Sequence, residues 1–167
     1  PMTIKGVTPV HLAAANGKFN VCQYILDRVE DKSPRNNNGS TPLHVSAMCG
    51  HLETFSFIMN IVDDKNPRNN MGLTPIHFAA FGGHLEICEY IMEYLTDLNQ
   101  SANDGRTPLH FAAIKGHLHV CKGILTNLVW NGIDDVNPRS NQGVTPLHDA
   151  ARSGHFDTFK YIIDNIE

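Results

Sequence analysis

Gly72-Leu-Thr-Pro-Ile-His-Phe-Ala-Ala-Phe-Gly-Gly-His-Leu-Glu-Ile-Cys-Glu-Tyr-Ile-Met92 is one of five variants of a single phrase in this chain. Its core, Thr-Pro-x-His, recurs at Thr8 to His11, Thr41 to His44, Thr74 to His77, Thr107 to His110 and Thr145 to His148. The intervals are 33, 33, 33 and 38 residues. Self-similarity at such a period identifies a stack of repeated units. Each unit reads as two short helices. Thr74 suits an N-cap and Pro75 the first helical position, where a missing N–H costs nothing. Ile76, Ala79 and Ala80 fall on one face at helical spacing. Gly82-Gly83 breaks the first helix. In the second, Leu85, Cys88, Ile91, Met92 and Leu95 mark an inner side, and Glu86, Glu89 and Glu93 an outer one. Helices this short need the same unit stacked above and below to enclose a core.

Thr-Pro-Leu-His-x-Ala-Ala-x-x-Gly-His-Leu-Glu at this period resembles the ankyrin repeat, over essentially the whole chain. The resemblance implies an all-α solenoid of helix-turn-helix units with short projecting β-hairpin loops. It divides a single domain, residues 1–167, into repeats of approximately 6–31, 32–64, 65–97, 98–135 and 136–167. It also implies a rigid concave surface that binds other proteins through the hairpin tips and first-helix face, with no chemistry of its own.

Thirteen basic and seventeen acidic residues give a net charge of −4, which argues against nucleic acid as the partner. No apolar run is long enough for direct membrane insertion, and the N-terminus lacks a signal-peptide layout. Cys22, Cys88 and Cys121 share one position in the second helix, where Phe55 and Phe159 stand in other repeats. A place that takes thiol or phenyl is a core place. The expectation is therefore an intracellular, cytoplasmic, reduced and monomeric chain, with Cys49 alone exposed. The last helix is as apolar as the inner ones, which reads as a piece of a longer array.

Two departures from the family pattern carry expectations of their own. Val29, Val62, Leu95 and Leu128 stand where the family ends its second helix with glycine, so those helices must end otherwise, by a 3₁₀ turn. The fourth repeat also holds five extra residues within Val129-Trp-Asn-Gly-Ile-Asp134. Four of them lengthen the second helix by about one turn, terminated by Asn131-Gly132. Val129 then continues the inner line of Leu118, Cys121 and Leu125. Tyr24, Phe57, Tyr90 and Tyr161 mark an aromatic position that is Gly123 in the fourth repeat, and Trp130 is expected to fold back over it.

Nine of the ten histidines are template residues, His119 being the exception. In the family such histidines tie neighbouring turns together. His84 with Cys88 and His117 with Cys121 have a helical metal spacing, but two ligands close no tetrahedral site. His148-Asp149 has no nucleophile near it in sequence, and no phosphate loop or paired carboxylates occur. The reading is no enzyme, no metal and no cofactor.

The candidate site lies in positions that vary while the template holds. Met71, Leu73, Phe78 and Phe81 make the third repeat apolar where water is expected, with Met48 and Ile114 on either side, and Phe111 is counted with them from the row Leu12, Val45, Phe78, Phe111 and Asp149 just inside the first helix. Arg35, Arg68 and Arg139 recur at the tips, and Arg106, Lys115 and Arg152 add cations suited to carboxylates. The partner implied is a protein or peptide with apolar anchors and acidic groups. The rival reading is a structural spacer or elastic array within a larger signalling or membrane-linked protein. Asn37, Asn70, Asn103 and Asn141 count among the hairpin positions that vary while the template holds. Asn99 and Asn137, in Asp97-Leu98-Asn99 and Asp135-Val136-Asn137, resemble the asparagines that are hydroxylated in the family.

Overall fold

A computed structural model describes residues 3–95, 99–133 and 135–166. Asp97, Leu98 and Asp134 lie outside the described residues, as do the parts of the expectations that fall on them. Ten helices occur among the described residues, in five pairs. The first helices are α1 (Pro9–Ala15), α3 (Pro42–Cys49), α5 (Pro75–Gly82), α7 (Pro108–Lys115) and α9 (Pro146–Ser153). The second helices are α2 (Phe19–Leu26), α4 (Leu52–Ile61), α6 (Leu85–Tyr94), α8 (Leu118–Trp130) and α10 (Phe156–Ile163). Each first helix packs on the next first helix, and each second helix on the next second helix. The result is a helical solenoid two rows wide.

Every first helix starts at its Thr-Pro, but the cap works through histidine. The Thr74 amide donates to Nδ1 of His77 at 3.2 Å, and the Thr74 hydroxyl meets the same nitrogen at 2.9 Å. His77 thus takes the place that Glu or Gln holds in the usual reciprocal cap. That contact leaves Nε2 as the protonated nitrogen, and it donates to the Arg106 carbonyl of the next repeat at 3.3 Å. His11, His44 and His110 do the same toward Ser40, Leu73 and Val144. His84 donates the other way, to the Met48 carbonyl of the preceding repeat at 3.0 Å.

The core repeats with the sequence. Leu43, Ile76 and Leu109 are buried in successive layers, as are Ile58, Ile91 and Ile124. Phe55, Cys88 and Cys121 share one wholly buried place. Burial pushes the Cys88 and Cys121 thiols up to about 12, so both remain protonated and inert. Cys49 is exposed. Leu12 differs from its neighbours in the chain: it is 52% exposed, and Val10 is the residue that occupies the core place of Leu43.

The projecting loops contain no strand among the described residues. Each is a tight turn, too short for a ladder, closed by bonds such as Gly39 N–H to the Asn36 carbonyl at 2.8 Å. Successive tips are joined by asparagine. The Asn70 amide donates to the Asn38 carbonyl at 3.0 Å, and its side chain to the Asn37 carbonyl at 3.1 Å. Asn37, Asn103 and Asn141 repeat this double contact with the preceding tip. These asparagines therefore belong to the scaffold, joining each tip to the one before it. Gly72, at φ +73°, faces Asn103 so closely that an added Cβ would lie 2.2 Å from its Oδ1.

α2 ends in a turn of the expected 3₁₀ kind, the Arg28 N–H donating to the Ile25 carbonyl at 3.0 Å, whereas α4 and α6 run directly into extended backbone. Val62 and Leu95 are simply extended, at φ −87° and −104°. The carbonyls left open are met by lysine: Lys32 Nζ donates to Leu26 and to Val29, and Lys65 Nζ donates to Met59. A cation at this end also suits the helix dipole.

The extra residues of the fourth repeat do lengthen a helix. α8 has 13 residues against 10 in α4 and α6, and it ends at Asn131 followed by Gly132 at φ +70°. Two side chains differ from expectation. Leu128, not Val129, faces the core, and Val129 is exposed. Trp130 does not fold back: it is 87% exposed. The reason lies in the preceding repeat, where Leu85 already fills the space beside Gly123. A Cβ added at Gly123 would stand 2.3 Å from Leu85 Cδ1.

Candidate functional site

The first-helix face of the third repeat carries an apolar hollow of about 260 Å³, lined by Met48, Met71, Leu73, His77, Phe78, Phe81 and Phe111. Three repeats supply it. Met48 ends α3, Phe78 and Phe81 come from α5, Phe111 comes from α7, and Met71 and Leu73 stand on the connector before α5. Six residues expected from sequence are thereby brought together. Ile114 is half-buried one layer on and does not line the hollow.

Aromatic edges set the floor. Phe78 meets the His44 ring edge-on at 5.1 Å, and Phe111 meets His77 likewise at 5.6 Å. Phe81 and Phe111 are edge-to-face at 6.3 Å across the wall. The histidines under these rings stay neutral at pH 7. Burial lowers His44 and His77 to about 4. Met71, 57% exposed, is a flexible apolar side chain at the mouth.

Sequence inspection misses His77 as a wall of the hollow, because it reads as a template residue in every repeat. A signal was present nonetheless. Gly82 precedes the usual glycine only in the third repeat, where other repeats carry Asn16, Cys49, Lys115 or Ser153. A Cβ there would stand 2.5 Å from the Met48 carbonyl, so glycine lets the ends of α3 and α5 approach. This brings Met48 alongside Phe81.

A second, more polar hollow of about 460 Å³ adjoins the first and shares Met71, Leu73 and Phe111 with it. Its remaining walls are Asn70, Ala102, Asn103, Asp104 and Arg106. Arg106 Nε stands 3.9 Å from Asp104. Lys115 Nζ sits 4.4 Å from the centre of the Phe81 ring, at the rim of the apolar hollow.

The other arginines are placed differently. Arg35 donates to the Gly39 carbonyl at 2.9 Å and the Arg68 carbonyl at 2.8 Å. Arg68 donates to the Ser101 carbonyl at 2.5 Å, and Arg139 to the Gly143 carbonyl at 3.3 Å. Neutral carbonyls leave their charge intact while anchoring the guanidinium along the tips. Arg152 lies 2.7 Å from Asp149, which is wholly buried.

Cys88 and Cys121 are buried core thiols, and His84 and His117 each donate to a carbonyl of the preceding repeat. Among the described residues no group of three His, Cys, Asp or Glu could hold a metal ion. Nor is any helix there long and apolar enough to cross a membrane. Asn99 donates to the Asp135 carbonyl at 3.3 Å, and Asn137 is half-buried with no bond to its Oδ1.

A two-row stack of helix pairs repeated along the chain is the architecture of a helical repeat protein. The family model for ankyrin repeats (3 copies) matches residues 2–66, 57–134 and 95–167, and the chain belongs to that family. Proteins built of ankyrin repeats generally serve protein–protein interaction and are generally non-catalytic. A search of curated proteins found no match to the chain.

Proposed function

We propose that this chain is a non-catalytic interaction module that takes a partner protein or peptide on its first-helix face, centred on the third repeat. The observation that supports it is the hollow lined by Met48, Met71, Leu73, Phe78, Phe81 and Phe111. Large apolar side chains left at a surface and gathered around a cavity mark a place where a partner removes water. Buried apolar anchors in such hollows dominate interface energetics. The rest of the site is Arg35, Arg68, Arg106, Ile114, Lys115, Arg139 and Arg152, which flank the hollow along the stack. The chain acts as a monomer in an intracellular, cytoplasmic setting; for the compartment, the support is that three of its four free cysteines are buried core thiols.

The test is selection of binders from a displayed library of random peptides, followed by variants of the chain. Phe81→Ala and Met71→Ser should each reduce binding about tenfold or more, as loss of an anchor does. Circular dichroism and melting temperature should stay nearly unchanged. Glu89→Ala, on the exposed side of α6, should be silent. Binders that ignore Phe81 and depend on Glu89 would place the surface on the other row of helices.

A further inference from the structure

Charge is segregated between the two rows of this solenoid. Tips and first helices hold seven of the thirteen Lys and Arg, but only two of the seventeen Asp and Glu, Asp104 and Asp149. Asp149 is buried and already paired with Arg152. Among the described residues, the second helices and their exits carry twelve acids against six bases. A chain of net charge −4 therefore presents a cationic face, and that face surrounds the apolar hollow.

Two cations border the cavity. Lys115 is held over Phe81 at the rim, and Arg106 lines the adjoining hollow. The two hollows share Met71, Leu73 and Phe111, so they lie side by side and together make up a trough. One end is apolar and the other mixed.

We infer that the trough takes an extended peptide segment whose bulky apolar side chain enters the Met48–Phe81–Phe111 hollow and whose flanking Asp or Glu side chains meet Lys115 and Arg106. This deepens the proposed function and rests on it. Charge complementarity argues for the occupant: opposite potentials steer encounter and reject like-charged partners. Guanidinium groups with fixed orientation also favour planar carboxylates.

Isothermal titration with synthetic peptides tests the inference. Each peptide, about a dozen residues long, carries one Leu or Phe flanked by Glu, by Ser or by Lys. The Glu peptides should bind about tenfold tighter than the Ser peptides, a difference that shrinks at high salt. Arg106→Glu with Lys115→Glu should reverse the order and favour the Lys peptides. Phe81→Ala should weaken all of them. Equal binding of Glu and Ser peptides, both lost in Phe81→Ala, would overturn the acidic preference and leave the apolar site standing. Binding of none of them would overturn the site itself. Glu peptides, or an oligouridine, that bind independently of Phe81 would show a cationic surface with no anchor, and would overturn the inference as well.

Discussion

The ring of His44 donates from Nε2 to the carbonyl of Leu73, 3.0 Å away in the next repeat, while its Nδ1 accepts from the Thr41 amide at 3.0 Å. One neutral imidazole thus caps its own helix and fastens the connector that bears part of the apolar hollow. Protonation would put a second proton on the nitrogen that accepts, in a place with little water.

Stability should consequently fall in mild acid. Burial lowers His44 and His77 from 6.5 to about 4 in the folded chain. Above pH 6.5 both states are neutral and the contribution is complete. Between 6.5 and 4 the unfolded chain binds protons first, so stability drops as pH drops, by about 3 kcal/mol per histidine at the limit. Urea midpoints measured from pH 7.5 to 4.5 check this. A flat profile would contradict it, and His77→Gln should remove its share of the slope.

Core substitutions should report position in the stack. Leu43→Ala and Leu109→Ala remove wholly buried side chains and should each cost roughly 2–5 kcal/mol in chemical denaturation. Leu12→Ala removes a half-exposed side chain and should cost well under 1 kcal/mol or so. Equal losses at the three sites would show that the layers are not stacked as described.

Glycine at the tips is expected to matter twice over. Gly72→Ala and Gly143→Ala both force a left-handed residue, which costs about 1–2 kcal/mol. Only Gly72 also crowds a neighbour, Asn103, and Gly143 has nothing within 4 Å. Gly72→Ala should therefore destabilise the chain more than Gly143→Ala. Identical urea midpoints for the two variants would discount the contact between tips.

Trp130, the single tryptophan, should emit like free indole in water and be fully quenched by iodide, given its 87% exposure. A blue-shifted, protected emission would mean that α8 does not end as described. Because Leu85 fills the space beside Gly123, Leu85→Ala should open it and shift the Trp130 emission to the blue.

The chain by itself determined what depends on near neighbours in sequence. The period of 33 residues, the helix pairs, the buried line through Phe55, Cys88 and Cys121, and the lengthening of α8 are all written in local spacing. Helical periodicity assigns a residue to a face within its own unit, which also made Met71, Leu73 and Phe81 legible as an apolar cluster. What a side chain meets one layer away is a different matter, because periodicity does not say which neighbour reaches it first. Tertiary structure decided that Leu85 covers Gly123 and leaves Trp130 in water. It decided that tip asparagines join repeats, that Arg35 and Arg68 lie along carbonyls, and that lysines finish helices which lack glycine. All of these but the lysine contacts join units about 10 Å apart in space and a full period apart in the chain, the distance at which helix packing acts and local propensity does not.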